Sequence, residues 1–239
     1  MMVSEVGSYW QERLSNMSET ESKAWDTVGI VTYSNSRQQA DELYSEWAQK
    51  YDSDLDTLKY ETPQNLVTEL LKYIDNTPST KVLDVAAGTG KCGEVFKKLG
   101  FKGIMDAIEI NGAMLEIAKR KNLYRNHTEM GVYPDKSIPI VDGLYDAAVC
   151  AGSFGPHHLA PGCVAPISHT LRQGGVAIFN CRATPQATEY RDSLENEIDK
   201  LEEAGMIARI EVKEMTHYAV KCRETGNSMM SKVYVYRKL

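Results

Sequence analysis

Apolar positions in the first third of the chain recur at three- and four-residue steps and predict two helices there. The first helix begins near Arg37 and carries an apolar face made of Ala40, Leu43, Tyr44, Trp47, Ala48 and Tyr51. The second begins at Thr62, an N-cap residue followed by Pro63, and ends before residues 76–78. We expect residues 37–76 to form a helical cap and the polar, serine-rich residues 1–36 to be a flexible N-terminal extension.

After residue 77 the pattern changes to short apolar strands that alternate with helices. Strand patterns lie at 81–85, 103–110, 126–130, 145–154, 176–179, 207–218 and 231–237. The last two enclose turn residues, which predicts a terminal antiparallel hairpin. Alternating strands and helices form a mainly parallel sheet with right-handed crossovers. The sequence therefore predicts a doubly wound α/β fold, with a seven-stranded, Rossmann-like core over residues 77–239 that shares one domain, 37–239, with the helical cap.

Composition and charge narrow the range of partners. A chain of 239 residues, 42% of them hydrophobic, is long enough for one α/β domain with a sizeable core. The net charge of −6 argues against a nucleic-acid partner, because phosphate recognition normally needs a basic face. Five irregularly spaced cysteines without a C-x-x-C pair indicate neither a disulfide framework nor a zinc site. We expect a cytoplasmic protein with reduced thiols, no metal and, since no run of eighteen apolar residues occurs, no membrane span.

A glycine-rich turn follows the first strand and indicates a ligand site. In VLDVAAGTG, residues 82–90, Gly88 and Gly90 allow a tight turn and let a ligand lie against the backbone. Glu109 ends the second strand, about twenty residues beyond the turn, where a carboxylate can accept hydrogen bonds from both hydroxyls of a ribose.

Two kinds of cofactor compete for this turn, because GTGKCG, residues 88–93, also fits the dinucleotide fingerprint G-x-G-x-x-G. Asp84 separates them, since a carboxylate near a docked pyrophosphate would be repelled by about 1–4 kcal/mol. S-adenosylmethionine has no phosphate and carries a cationic α-amino group and a sulfonium. The fingerprint also usually opens a dinucleotide domain, whereas about eighty residues precede it here. We therefore predict S-adenosylmethionine as the cofactor, with a nicotinamide-dependent oxidoreductase and a purely structural turn as the alternatives.

The order of several motifs resembles that of a known enzyme family. The strings VLDVAAGTGKCGE, IEINGAML, YDAAVCAGSF and RQGGVAIF are similar to the successive motifs of class I S-adenosylmethionine-dependent methyltransferases. Two further segments, YSEWAQKYDSDLDTLKYETPQNLV and LEEAGM, resemble a narrower group in that class, the methyltransferase-like protein 27 family. The resemblance covers roughly residues 40–239 and departs from the class at Ala86, where glycine is common.

The resemblance extends the set of expected cofactor contacts beyond Asp84, Gly88, Gly90 and Glu109. It implies that Tyr51 approaches the methionine end of the cofactor, whereas Trp47 is interpreted as a core residue. The complete predicted cofactor site is Tyr51, Asp84, Ala86, Gly88, Thr89, Gly90, Glu109, Ile110, Met114, Met130 and Ala151. Met114 is placed against the adenine, and Met130 ends the third strand pattern, near the place where many relatives have an acid.

His158 is the candidate catalytic residue, in the loop after the strand 145–154. It matches the position of a histidine in similar sequences and could act as a base or contact the acceptor. His127, His169 and His217 are interpreted as structural. We expect methyl transfer to a small-molecule acceptor. The alternatives are a protein acceptor and a regulatory or interaction protein that binds the cofactor without turnover.

Overall fold

The computed structural model describes residues 17–140, 143–222 and 226–239. It contains a seven-stranded sheet whose order is β3-β2-β1-β4-β5-β7-β6. The strands are β1 Lys81–Val85, β2 Ile104–Glu109, β3 Asn126–Glu129, β4 Tyr145–Phe154, β5 Leu171–Arg182, β6 Ile207–Tyr218 and β7 Met229–Lys238. Strands β1 to β5 are parallel, and β6 and β7 form an antiparallel hairpin on one edge. The predicted doubly wound, mainly parallel fold is confirmed, including its closing hairpin.

Helices cover both faces of this sheet. The described helices are α1 Glu19–Thr32, α2 Arg37–Thr57, α3 Thr62–Leu70, α4 Lys91–Lys98, α5 Gly112–Arg120, α6 Val164–Thr170 and α7 Thr188–Glu203. Successive strand residues point to opposite faces, so Val82 joins one core cluster and Leu83 the other. The central strands are buried on both faces, which explains why β1 and β4 are mostly apolar along their length. None of the described helices is long and apolar enough to cross a bilayer.

Helix α3 packs on one face of the sheet and is not part of the predicted helical cap. Its residues Leu66, Val67 and Leu70 have no solvent exposure and pack in the core cluster that covers one face of the sheet. The predicted helix is correct over residues 62–70, but it ends at Leu70 and not just before residues 76–78. Periodicity also does not reveal which neighbour an apolar face meets. The helical cap predicted over 37–76 is therefore limited to α2 within that range.

The prediction of a flexible extension over residues 1–36 is wrong for residues 19–32, which form α1. Ser18 caps this helix, and the Glu21 carboxylate accepts a hydrogen bond from the Ser18 backbone N–H. Helix α1 buries Trp25 and Val28 against α2 and against Tyr218. The segment has few apolar positions among many polar ones, so its apolar periodicity did not indicate a helix, although the Ser-x-x-Glu capping box marked its start. Residues 1–16 lie outside the described part of the chain. Helices α1 and α2 together are called the cap below.

The packing of α1 can be tested by substituting its largest buried side chain. Trp25 is 8% exposed and lies edge-on to the Tyr218 ring at 5.0 Å. We expect Trp25→Ala to lower the free energy of unfolding in urea by about 3–5 kcal/mol, the cost of removing a large core side chain. Ile30→Ala on the same helix is the control, since Ile30 is 59% exposed and should change stability by less than about 0.5 kcal/mol. Small and equal losses in both variants would contradict the packing of α1.

Candidate functional site

A cleft with an empty volume of about 890 Å³ lies at the carboxyl ends of β1, β2 and β4. The strand order reverses between β1 and β4, which is where sheets of this kind bind ligands. Of the predicted site residues, the cleft is lined by Tyr51, Asp84, Ala86, Gly88, Thr89, Glu109, Ile110, Met114, Ala151 and His158. Two others lie outside its lining. Gly90 is the N-cap residue of α4, and Met130 packs on the hydrophobic core.

The turn after β1 has an unusual backbone that sets the shape of this cleft. Ala86 and Gly88 both have left-handed backbone conformations, with φ of 52° and 58°. The left-handed conformation costs a residue with a Cβ about 1–2 kcal/mol, so Ala86 adopts a conformation in which glycine is better suited. Hydrogen bonds hold the turn in place, since Gly88 N–H donates to Glu109 Oε2 at 2.8 Å and Ala87 N–H to the Ile108 carbonyl at 3.1 Å. The loop and the end of β2 therefore form one rigid edge.

Glu109 is a buried carboxylate with acceptor capacity left over. Its Oε1 accepts the Asn111 backbone N–H at 2.8 Å, and its Oε2 accepts that of Gly88. Burial raises the pKa of Glu109, although these backbone hydrogen bonds oppose the increase. Each carboxylate oxygen can accept a second hydrogen bond. Glu109 is thus oriented by the backbone and can still bind hydroxyl groups in the cleft.

Asp84 is the second buried carboxylate of the cleft, and it is 2% exposed. Burial raises its pKa to about 7, while a hydrogen bond from the Tyr124 hydroxyl at 2.6 Å lowers it and the charge of Glu109 raises it again. No described cation forms an ion pair with Asp84. A positively charged ligand in the cleft would stabilise the ionised form.

The cap closes this cleft through polar contacts with the sheet. Asp52 on α2 accepts a hydrogen bond from Thr89 Oγ1 at 2.6 Å and pairs with Lys121 at 2.6 Å. Burial raises the pKa of Asp52, but the hydrogen bonds from Lys121 and Thr89 outweigh it, so the pKa is lowered overall. At the other end of α2, Asn111 Nδ2 donates to Asp41 Oδ1 at 2.8 Å. Helix α2 is therefore attached to both the glycine turn and the end of β2.

Aromatic side chains of α2 form the roof of the cleft. Tyr51 lines it and packs edge-on against Trp47, with ring centroids 4.7 Å apart. Trp47 is 7% exposed and belongs to the core cluster of the cap, as predicted. Tyr44 was interpreted from its spacing only as part of the apolar face, yet its hydroxyl lies 3.0 Å from His158 Nε2. Tyr44 is a site residue that the helical pattern alone could not distinguish from a core residue.

The contacts of His158 define which of its nitrogens is basic. Its Nδ1 lies 2.7 Å from the Pro156 carbonyl, which can only accept, so Nδ1 carries the proton. The Nε2 lone pair then accepts from the Tyr44 hydroxyl. Burial lowers the pKa of His158, and the Pro156 hydrogen bond only partly opposes this. The structure thus holds a neutral imidazole with a basic Nε2 at the side of the cleft.

A second chamber adjoins the first cleft and shares Tyr44, Gly152, His157 and His158 with it. Its empty volume, counted together with open solvent at its mouth, is about 1080 Å³. Its walls come from the ends of β4 and β5 and from residues 32–35, at the end of α1 and just after it. At the junction, a Cβ on Gly152 would overlap the Tyr60 hydroxyl, and its backbone φ is +74°. A side chain at position 152 would therefore displace Tyr60 where the two chambers share their lining.

Sequence reasoning missed several residues of the second chamber. Asn180 and Arg182 end β5, and Asn180 Oδ1 accepts the Gly152 backbone N–H at 2.8 Å. His217, interpreted as structural, is 1% exposed and bonds Thr62 at 2.7 Å, but it also lines the chamber. For Asn180 and Arg182, the sequence did offer one signal, which is their position at the carboxyl end of a parallel strand.

Residues 82–175 match a family described as a methyltransferase domain. Human methyltransferase-like protein 27 is 30% identical over 165 residues, which are 69% of this chain and 66%, just under two thirds, of that protein. The solved geranyl diphosphate C-methyltransferase from Streptomyces coelicolor A3(2), in complex with Mg²⁺, geranyl-S-thiolodiphosphate and S-adenosyl-L-homocysteine, is 12% identical with a TM-score of 0.52 over 74% of this chain and 76% of its own. The cyclase SpnF is 12% identical with a TM-score of 0.61, over 86% of this chain and 97% of its own. The two solved structures show a shared fold.

The environment of Asp84 leads to a prediction about its titration. Because the Tyr124 hydroxyl stabilises the carboxylate, Tyr124→Phe should raise the Asp84 pKa above its value of about 7. Carbon-13 NMR of labelled aspartate carboxyl groups measures this directly. Tyr145→Phe is the matched control, since Tyr145 donates to Asp106 at 2.9 Å on the neighbouring strand and should leave Asp84 unchanged. An Asp84 that titrates near pH 4 in the unmodified protein would contradict the burial described above.

Proposed function

We propose that this chain, whose residues 82–175 match a methyltransferase domain, transfers a methyl group from S-adenosylmethionine to a small-molecule acceptor. One observation carries the proposal most directly. Two buried carboxylates, Asp84 and Glu109, line one cleft at the glycine turn, at the ends of adjacent parallel strands. This arrangement favours a ligand with a positive charge and a ribose, and it disfavours a pyrophosphate.

The cleft residues fit S-adenosylmethionine in chemical type. Asp84 would face the cationic methionine end, where a positive charge offsets the cost of burying the carboxylate. Glu109 would accept hydrogen bonds from the ribose hydroxyls with the acceptor capacity that its backbone contacts leave. Ile110 and Met114 supply apolar surface for the adenine, and Tyr51 covers the methionine end from α2.

The chemistry of the transfer needs little from the protein besides alignment. When bound, the cofactor supplies an activated methyl group: an acceptor electron pair forms the new bond to the methyl carbon, and the carbon–sulfur pair passes to sulfur. The cap excludes water and fixes the approach, and such positioning alone supplies effective molarities of about 10⁵–10⁸ M. His158 Nε2 can take up the proton of the acceptor once the Tyr44 hydroxyl turns away from it.

A cofactor-binding protein that does not transfer methyl groups is the second candidate. The cyclase SpnF shares the fold, so the fold by itself does not separate methyl transfer from another reaction. A protein acceptor is the third. The two adjoining chambers favour the small molecule, because concave sites partly covered by the cap suit a compact acceptor.

Cofactor binding can be measured by calorimetry on the purified protein. We expect S-adenosylhomocysteine to bind and NAD not to bind. Glu109→Gln should weaken binding by about 1–3 kcal/mol, because hydrogen bonds to a charged acceptor are lost. Glu116→Gln is the control, since Glu116 lies on α5 and pairs with Lys119 on the outer surface. Binding of NAD without any response to S-adenosylhomocysteine would overturn the proposed function.

His158 gives the sharpest test of the chemistry. With an acceptor in hand, His158→Ala should lower turnover by about 10²–10⁴-fold, the usual contribution of a general base. The affinity for S-adenosylhomocysteine should change little, since His158 lies where the two chambers meet. His157→Asn is the control, because asparagine tolerates the left-handed backbone at His157, where φ is 61°. Equal small losses in both variants would show that alignment alone drives the reaction.

A further inference from the structure

The second chamber differs from the cofactor cleft in its charge. The cofactor cleft is lined by three carboxylates, those of Asp41, Asp84 and Glu109, together with Arg37 and Lys91. No aspartate or glutamate lines the second chamber among the described residues. Apart from its three histidines, the ionisable groups there are the guanidinium of Arg182 and the hydroxyls and thiol of uncharged side chains. The chamber is therefore suited to a negatively charged occupant.

Arg182 holds its charge there without a matching carboxylate. It is half-buried at the carboxyl end of β5, and its Nη1 donates to Thr32 Oγ1 at 2.7 Å. None of the ion pairs between described residues includes Arg182, in contrast to Arg172 at the start of the same strand, which pairs with Asp146 at 2.6 Å. Buried charges in proteins are normally paired. The Tyr218 side chain also forms a hydrogen bond with Arg182. A guanidinium presents five N–H donors, so donors beyond those used by Thr32 and Tyr218 remain for a ligand.

A second polar group in the chamber also lacks a partner. Ser34 is 4% exposed and lines the chamber just after α1, and its Oγ makes no hydrogen bond to any described residue. A buried hydroxyl without a partner is costly, and such groups are rare in native structures. The Ser34 hydroxyl can donate to an oxyanion in the same chamber as Arg182.

Two histidines of the chamber, His158 and His217, have pKa values below the usual range, as expected beside the positive charge of Arg182. Burial, followed by the charge of Arg182, lowers the pKa of His217 well below its usual value. Burial also lowers the pKa of His158, with Arg182 among the smaller causes. Both rings are therefore neutral at pH 7, and Arg182 is the side chain that carries the positive charge.

We propose that the second chamber binds the methyl acceptor and that the acceptor is an anionic small molecule whose carboxylate or phosphate pairs with Arg182 and Ser34. This inference rests on the proposed function, because it assigns the first cleft to the cofactor. An anion held by Arg182 would place the rest of the molecule toward Gly152 and His158, where the two chambers meet. The carboxylates of the cofactor cleft would repel an anionic acceptor, whereas Arg182 in the second chamber would attract it.

The test uses calorimetry on the full chain saturated with S-adenosylhomocysteine. The probes are two matched pairs, 4-hydroxybenzoate with 4-hydroxybenzamide and phenyl phosphate with phenol, so that each anion has a neutral counterpart. We expect at least one anion to bind about tenfold or more tightly than its counterpart, and the two pairs distinguish a carboxylate site from a phosphate site. Arg182→Gln should weaken that anion by about 10- to 100-fold, as expected for a lost charge-assisted hydrogen bond, and Ser34→Ala should weaken it less.

Arg172→Gln is the matched control on the same strand and should leave anion binding unchanged. Arg182→Lys, which keeps the charge, should retain most of the affinity and shows whether any loss in Arg182→Gln comes from misfolding. Equal binding of anions and neutral counterparts, no binding of either anion at millimolar concentration, or equal affinity in Arg182→Gln would overturn the inference. Failure of S-adenosylhomocysteine to bind at the first step would instead overturn the proposed function, and anion binding is then measured without it.

Discussion

The buried Glu109 carboxylate joins three parts of the chain that are far apart in sequence. It fixes the glycine turn through Gly88 and the start of α5 through Asn111, and the Asn111 side chain in turn holds α2 at Asp41. A carboxylate can do this because it accepts several hydrogen bonds at once and has no donor of its own to satisfy. The glycine turn, the start of α5 and the position of α2 thus all depend on a single acidic group. Its burial is tolerated because backbone N–H groups surround it.

The two adjoining chambers provide opposite electrostatic environments. On one side, Asp84 and Glu109 favour positive charge, and on the other Arg182 favours negative charge. In a buried environment such charges act more strongly than in water. Under the proposed function, the two reactants would be sorted by charge before they meet at Gly152. The cofactor and the acceptor would then be aligned because each one binds in the chamber whose charge is opposite to its own.

Sequence periodicity predicted the elements well and their neighbours less well. Alternating strands and helices predicted the sheet and its closing hairpin, because local pattern determines element type. The docking of α3 on the sheet and of α1 on α2 depends on contacts between distant segments, which periodicity does not encode. The glycine turn could be recognised because its residues are contiguous. Arg182 and Ser34 belong to no motif. The end of a parallel strand was the one signal for Arg182, and the fold alone brings both residues to the same chamber.

The wall of the second chamber has a consequence for how this protein diversifies. Residues 32–35 comprise the last residue of α1 and the short connection after it, outside the sheet that shapes the cofactor cleft. Substitutions in this connection can reshape one chamber while Asp84, Glu109 and the glycine turn stay as they are. Selection can therefore change acceptor preference in small steps without loss of cofactor affinity along the way. Paralogous copies of such a gene would be expected to diverge first in this connection and last in the turn.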